Sequence, residues 1–210
     1  MILHRPVGLE ELLLVYRSSM RKFPSRLPGQ TIFCPVLTVE YARQIARKWN
    51  AASGSQAGYV IQFDIDDNYG RSFPVRQVGS LLHQELWVPA SSLDEFNAHI
   101  AGPAQLVDAY FGSAFSGIVP GNFSLRGKYA REQFTSLQRI FEYSLMDLHG
   151  EITANHEAIF VHYPYWEQLA GQGAVHEQDG RALLSSIRRI WSGAFPDISL
   201  GVQSPWTSSP

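Results

Sequence analysis

His83 and Glu85, in the run His83-Gln84-Glu85-Leu86-Trp87-Val88-Pro89, are the residues of this sequence best placed to do chemistry. The run reads as a strand, and residues two apart on a strand share a face, so an imidazole and a carboxylate would look into one cleft. Imidazole exchanges its proton close to neutral pH, and a carboxylate beside it can accept hydrogen bonds or stabilise a developing positive charge. Earlier in the chain, Tyr16 and Arg17 add an aromatic face and a guanidinium. Phe33 and Tyr41 add flat rings of the kind that stack on planar ligands.

These side chains need elements to hold them. Leu9 to Met20 admits two readings: Val15-Tyr16-Arg17 as an early strand, or a helix with Leu9, Leu12, Leu13, Tyr16 and Met20 on one stripe and Arg17 at its solvated edge. Pro24, Pro28 and Gly29 predict a loop, Thr31 to Cys34 a short strand closed by Pro35, and Thr38 the cap of a helix on Val39, Ala42, Ile45, Ala46 and Trp49. Tyr59, Ile61, Phe63 and Ile65 alternate with more polar neighbours, which predicts a half-buried strand. An Asp-rich turn over Asp66 to Gly70 follows, then strands over Val75–Val78 and Leu82–Val88. Ser92 with Glu95 fits a capping box, and Gln105–Phe111 fits a further strand.

From Gly112 to Gly127 the chain is rich in Gly and Pro and reads as a long irregular connection. Beyond it, Phe134, Leu137, Ile140, Phe141 and Leu145 mark an amphipathic helix. Glu151–Thr153 and Ala158–Tyr163 read as a hairpin turning at Asn155-His156, and Leu183, Leu184, Ile187, Ile190 and Trp191 mark a last helix. The Ser- and Pro-rich tail from Ser204 reads as frayed. The pattern predicts an α+β fold: a core over residues 1–127 and a helix-hairpin-helix extension over 128–210, packed together or as one domain.

Composition narrows the function classes. With 17 Lys and Arg against 19 Asp and Glu the net charge is -2, which supplies no global field for nucleic acid or an anionic membrane. One cysteine, Cys34, excludes an internal disulfide and a Cys-rich metal site, and points to a reducing, cytoplasmic setting. No run approaches the roughly 20 apolar residues of a membrane span. P-loop, dinucleotide-binding glycine, nucleophile-elbow and metalloprotease patterns are absent from the sequence. His149, His156 and His162 with Glu151 and Glu157 have the composition of a zinc-dependent hydrolase site, but their spacing matches no ligand pattern, so no metal is expected. Tyr163, Tyr165 and Trp166 are the aromatic residues through which a catalytically inactive scaffold would bind a protein partner.

The order of Tyr16-Arg17, Ile32-Phe33-Cys34-Pro35, Tyr41-Ala42, the strand through Tyr59 to Phe63 and His83-Gln84-Glu85 resembles the ADP-ribosyltransferase superfamily. There an early strand supplies Arg or His, a strand-to-helix segment supplies Ser or aromatic residues, and a later strand supplies Glu. The resemblance implies mixed or antiparallel sheets with flanking helices, and NAD as substrate. It implies Arg17 on the pyrophosphate, Tyr16, Phe33 or Tyr41 against nicotinamide, and Glu85 and His83 at the reacting sugar and acceptor. Phe33-Cys34-Pro35 stands where arginine-type transferases have Ser-Thr-Ser, and His83 where many have Glu or Gln. Arg5-Pro6-Val7-Gly8, Phe23-Pro24-Ser25-Arg26-Leu27-Pro28, Ile100-Ala101-Gly102-Pro103 and His162-Tyr163-Pro164 are similar to a bacterial family labelled ADP-ribosylation/J-crystallin-like. The all-helical, Asp-clustered J-crystallin-like hydrolases are not the match, so no hydrolase function follows from that label.

Overall fold

The computed structural model describes residues 1–171 and 177–204. By packing, the chain divides into a first unit, Met1–Gly112 with the chain end from Val202, and a second, Ser113–Gly201. The tail beyond Ser204 lies outside the described residues. Small antiparallel sheets and helices make up a mixed α and β structure. No helix among the described residues is long and apolar enough to cross a membrane.

The first unit opens on β1 (Ile2–Val7), which passes through Gly8 straight into α1 (Leu9–Arg17). Leu9, Leu12, Val15 and Tyr16 bury one stripe of α1, and Glu10 and Glu11 occupy its first turn, where the helix dipole favours carboxylates. Leu9 to Arg17 is therefore helical, and the chain leaves the helix at Ser18, so that Met20 of the expected stripe lies beyond its end. The early strand is β1, carrying His4 and Arg5, while Arg17 sits about 100° round the helix from buried Tyr16 and is exposed.

β2 (Ile32–Phe33) leads through Pro35 to α2 (Val39–Ile45), whose N-terminus is capped as expected: Thr38 Oγ1 accepts the Tyr41 N–H at 3.3 Å. α2 then widens into a π turn over Ala46–Asn50. β3 (Ala57–Asp64) runs antiparallel between β1 and β7 (Gln105–Phe111). It is buried at every position but its last, so the half-buried strand of the sequence reading is corrected to a central strand covered on both faces. Val36, Tyr41, Ala42 and Ala46 pack with Val60 and Val107 in one cluster. Phe23, Phe33 and Phe96 gather about Phe63 in another, with ring centroids 4.8 to 6.1 Å apart. The one polar side chain inside β3, Gln62, is answered across the sheet by His4 Nε2, 3.0 Å from Gln62 Oε1.

Gly58 is where the π turn meets the sheet, and a Cβ built there would lie 2.0 Å from the Ala46 carbonyl oxygen. Backbone cannot yield as a side-chain tip can. Gly58→Ala is thus expected to lower the free energy of unfolding by about 3 kcal/mol, read from a urea melt, with no compensating contact.

α3 (Asp67–Gly70) begins at Asp66, whose carboxylate accepts the Tyr69 N–H at 2.8 Å, so the Asp-rich turn serves as a helix cap. β4 (Val75–Gln77) and β5 (Gln84–Leu86) form a hairpin, and β6 (Val88–Pro89) pairs with β2. α4 (Leu93–Ala98) starts after Ser92, but the capping box does not form. Ser92 leaves a preceding 3-10 turn at φ -96°, ψ 0° instead of the extended conformation a cap needs, and its side chain makes no capping bond.

In the second unit, α5 (Ala130–Tyr143) and α8 (Glu177–Ala194) follow the helical periodicity of their sequences. The expected hairpin is replaced by α6 (Leu145–Ala154) and α7 (His156–Gly171). Ala158 to Pro164 is buried without a break, and a helix covered on all sides loses the polar stripe that would betray its period. The aromatic surface expected for a partner is corrected too: Tyr163 and Trp166 are core residues, with the Tyr163 hydroxyl donating to the Leu184 carbonyl and the Trp166 indole to the Ala130 carbonyl.

His162, fully buried on α7, ties down the irregular chain before α5. Its Nε2 accepts the Ile118 N–H at 2.9 Å, and its Nδ1 meets Gln133 Oε1 at 2.9 Å. The Gln133 amide in turn donates to the Ile118 and Lys128 carbonyls. Burial holds the imidazole neutral and pushes its pKa down to about 3. Unfolding exposes a histidine that protonates near 6.5, so the unfolded chain binds the extra proton between those values. Stability from this residue is complete above pH 6.5 and is lost as pH falls towards 3. The wild type is expected to lose roughly 1 kcal/mol per pH unit more than His162→Gln across pH 6 to 4, measured by urea melts at each pH.

Candidate functional site

The segment 35–37 runs between β1 and β5, and this brings distant parts of the sequence together. Val36 exchanges backbone hydrogen bonds with His4 at 2.7 and 2.9 Å, and Leu37 N–H and Leu86 N–H bond the carbonyls of Gln84 and Pro35. Val36 is thereby bridged to His4 on one side and Glu85 on the other. Pro35 and Pro89 punctuate β2 and β6 at lengths that leave Cys34 and Glu85 beside one another.

Glu85 is held at both carboxylate oxygens. The Tyr41 hydroxyl donates to Oε1 at 3.2 Å and the Trp87 indole N–H to Oε2 at 3.0 Å, while the Cys34 thiol lies near enough to feel the same carboxylate's charge. Burial, then the nearby Glu85 charge, pushes the Tyr41 phenol up to about 12, so it stays a donor throughout the neutral range. Burial first, and Glu85 second, also raise the Cys34 thiol against the opposing pull of Arg5 and Arg26, which keeps it a protonated donor rather than a nucleophilic thiolate. His83 stacks on the Tyr41 ring at 4.3 Å between centroids, and its Nε2 lies 3.4 Å from Gln44 Oε1.

On the other side of Cys34 stands Arg5. Its Nη1 donates to the Cys34 carbonyl at 3.1 Å, and its remaining nitrogens grip Glu11 at 3.0 and 3.2 Å. Arg26, from the loop after α1, reaches the same carboxylate at 3.5 Å. Both guanidiniums lie over the Phe33 ring, at 5.0 and 5.9 Å from its centroid. A cleft of 290 Å³ opens beside them, lined by Glu11, Leu14, Ser25, Arg26 and Gln30 among others.

Of the residues singled out from sequence, Tyr41, His83 and Glu85 come together here. Tyr41 contributes its hydroxyl to Glu85 and its ring to His83, rather than a free face to a ligand. Phe33 reaches the site from beneath: it is fully buried, and the two guanidiniums cover its ring. Tyr16 is buried in the α1 stripe, and Arg17 lies six residues beyond Glu11, the α1 residue that does enter the site. Sequence reasoning missed Arg5, Arg26 and Trp87. Arg5 was legible in principle, because Ile2 to Val7 closed by Gly8 and followed by a helical stripe is a strand-then-helix pattern. Arg26 lies in a loop and had no periodic signal.

Comparison with protein-family models, curated proteins and solved structures finds no match to this chain.

Proposed function

We propose that the first unit binds NAD and cleaves its nicotinamide-ribose bond, passing ADP-ribose to water or to an acceptor. The observation that carries this reading is the Glu85 carboxylate held at both oxygens by Tyr41 and Trp87, beside the Cys34 segment whose backbone carbonyl accepts from the Arg5 guanidinium. It has the order of the superfamily that the sequence resembles, early-strand Arg, strand-to-helix residue, later-strand Glu, with Arg5 in the place first given to Arg17. In this reading Cys34 falls in the segment where arginine-type transferases carry the hydroxyl that steadies the glutamate, and Tyr41 and Trp87 are the donors to Glu85.

The chemistry follows from charge. When the bond between the ribose anomeric carbon and the pyridinium nitrogen breaks, its electron pair leaves with nicotinamide, which becomes neutral, and the sugar takes up the positive charge. A fixed carboxylate stabilises that cation without having to reorganise. The captured oxygen nucleophile then loses its proton, and His83, whose ring stacks on Tyr41, is the imidazole in this reading that takes it. A guanidinium beside the cleft suits a pyrophosphate through paired donors. The test is release of nicotinamide from NAD, followed by chromatography with the purified full chain. Release that depends on Glu85 supports the proposal, and its absence from verified folded protein at millimolar NAD would overturn it.

A further inference from the structure

Arg26 is an incompletely satisfied cation of the first unit. Its side chain is 13% exposed, yet its one ion pair among the described residues is the 3.5 Å approach to Glu11, a carboxylate that Arg5 already holds with two nitrogens. Its Nε is buried with no hydrogen-bond partner. A buried donor on a charged group is costly to leave unmade, and such a group calls for an explanation, such as a bound ion or water. Burial, followed by the repulsion of Arg5, lowers the Arg26 pKa. Two guanidiniums thus share Glu11 at the wall of the 290 Å³ cleft, where Ser25 and Gln30 offer further polar groups. Glu10 also lines this cleft and is exposed, which leaves the Arg26 end as the one suited to negative charge.

We infer that Arg26 is a phosphate-binding residue, and that the cleft between α1 and the loop 24–30 takes the phosphate groups of a phosphate ester. This rests on the NAD reading for the identity of that ester, and on Arg26 and the cleft alone for its chemistry. The Pro24-Ser25-Arg26-Leu27-Pro28 segment, fixed by its two prolines, presents the guanidinium with little conformational freedom left to lose on binding.

The experiment titrates inorganic pyrophosphate, ADP-ribose and NAD separately into the full chain and into Arg26→Met and Arg26→Lys, by calorimetry, with a thermal melt of each protein. Pyrophosphate and ADP-ribose are expected to bind the wild type, at least about 10-fold more weakly to Arg26→Met, with Arg26→Lys between. Without ligand, Arg26→Met is expected to melt no lower than the wild type, because an unsatisfied buried donor and a like-charge contact are removed with volume retained. Equal affinity of wild type and Arg26→Met for all three compounds would overturn the inference. So would a lower melting point of Arg26→Met that pyrophosphate raises as far as it raises the wild type's, which would mark Arg26 as structural. Binding of pyrophosphate that depends on Arg26, with no turnover of NAD, would keep the anion site and remove the NAD reading. Turnover of NAD with affinity untouched by Arg26→Met would do the reverse.

Discussion

Glu85→Gln is expected to slow nicotinamide release from NAD by about 100-fold or more, while NAD affinity stays within about 3-fold. The asymmetry follows from what the carboxylate does. In the ground state the ribose is neutral, and the pyridinium charge is only partly felt at the Glu85 position, so the negative charge contributes little to binding. As the bond breaks, the charge moves onto the sugar, and the carboxylate interaction strengthens in the transition state alone. Glutamine keeps the size but loses the charge: its carbonyl oxygen can still accept the Trp87 indole N–H, and its amide N–H can donate to the Tyr41 hydroxyl oxygen, which turns from donor to acceptor. A thermal melt of the variant separates any stability loss from the loss of rate.

The second large effect is expected at Arg5. Arg5→Lys keeps the positive charge but cannot hold the Cys34 carbonyl and both Glu11 oxygens at once, as the guanidinium fork does. If Arg5 positions the pyrophosphate as well as the Cys34 segment, the Kd for NAD rises by about 10-fold or more and the rate at saturation falls with it, since the Cys34 segment it holds lies beside Glu85. Calorimetry for Kd and nicotinamide release at saturating NAD measure the two parts. Arg17→Ala, on the exposed side of α1, serves as the comparison and is expected to change neither.

How far the site could be read from sequence depended on the kind of element holding each residue. The strand around Glu85 was legible because a short apolar run bounded by turn residues has few readings, although β5 begins at Gln84 and leaves His83 just outside it; the helix carrying Tyr41 was legible because Thr38 marks its start. Arg5 was overlooked for Arg17 since Leu9 to Met20 suits strand and helix locally, and only the packing of Leu9, Leu12, Val15 and Tyr16 decides between them. The hairpin in place of α6 and α7 is the same failure in a harsher form. A helix buried on every side, with Pro164 inside it, carries neither a polar stripe nor an unbroken run of helix formers. Arg26 acts through Glu11, on a different element, and no local pattern encodes that pair; Trp87 donates to Glu85 two residues before it in the same run and was legible in principle. Near Phe33-Cys34-Pro35, the donors to Glu85 are Tyr41 and Trp87.

The most direct measurement is a calorimetric titration of NAD into the folded full chain, beside the same titration of Arg5→Lys. Saturable binding at one site per chain, weakened at least about 10-fold by the substitution, is the result expected if Arg5, Cys34 and Glu85 form an NAD site. No heat of binding at millimolar NAD, or binding that Arg5→Lys leaves unchanged, would contradict it.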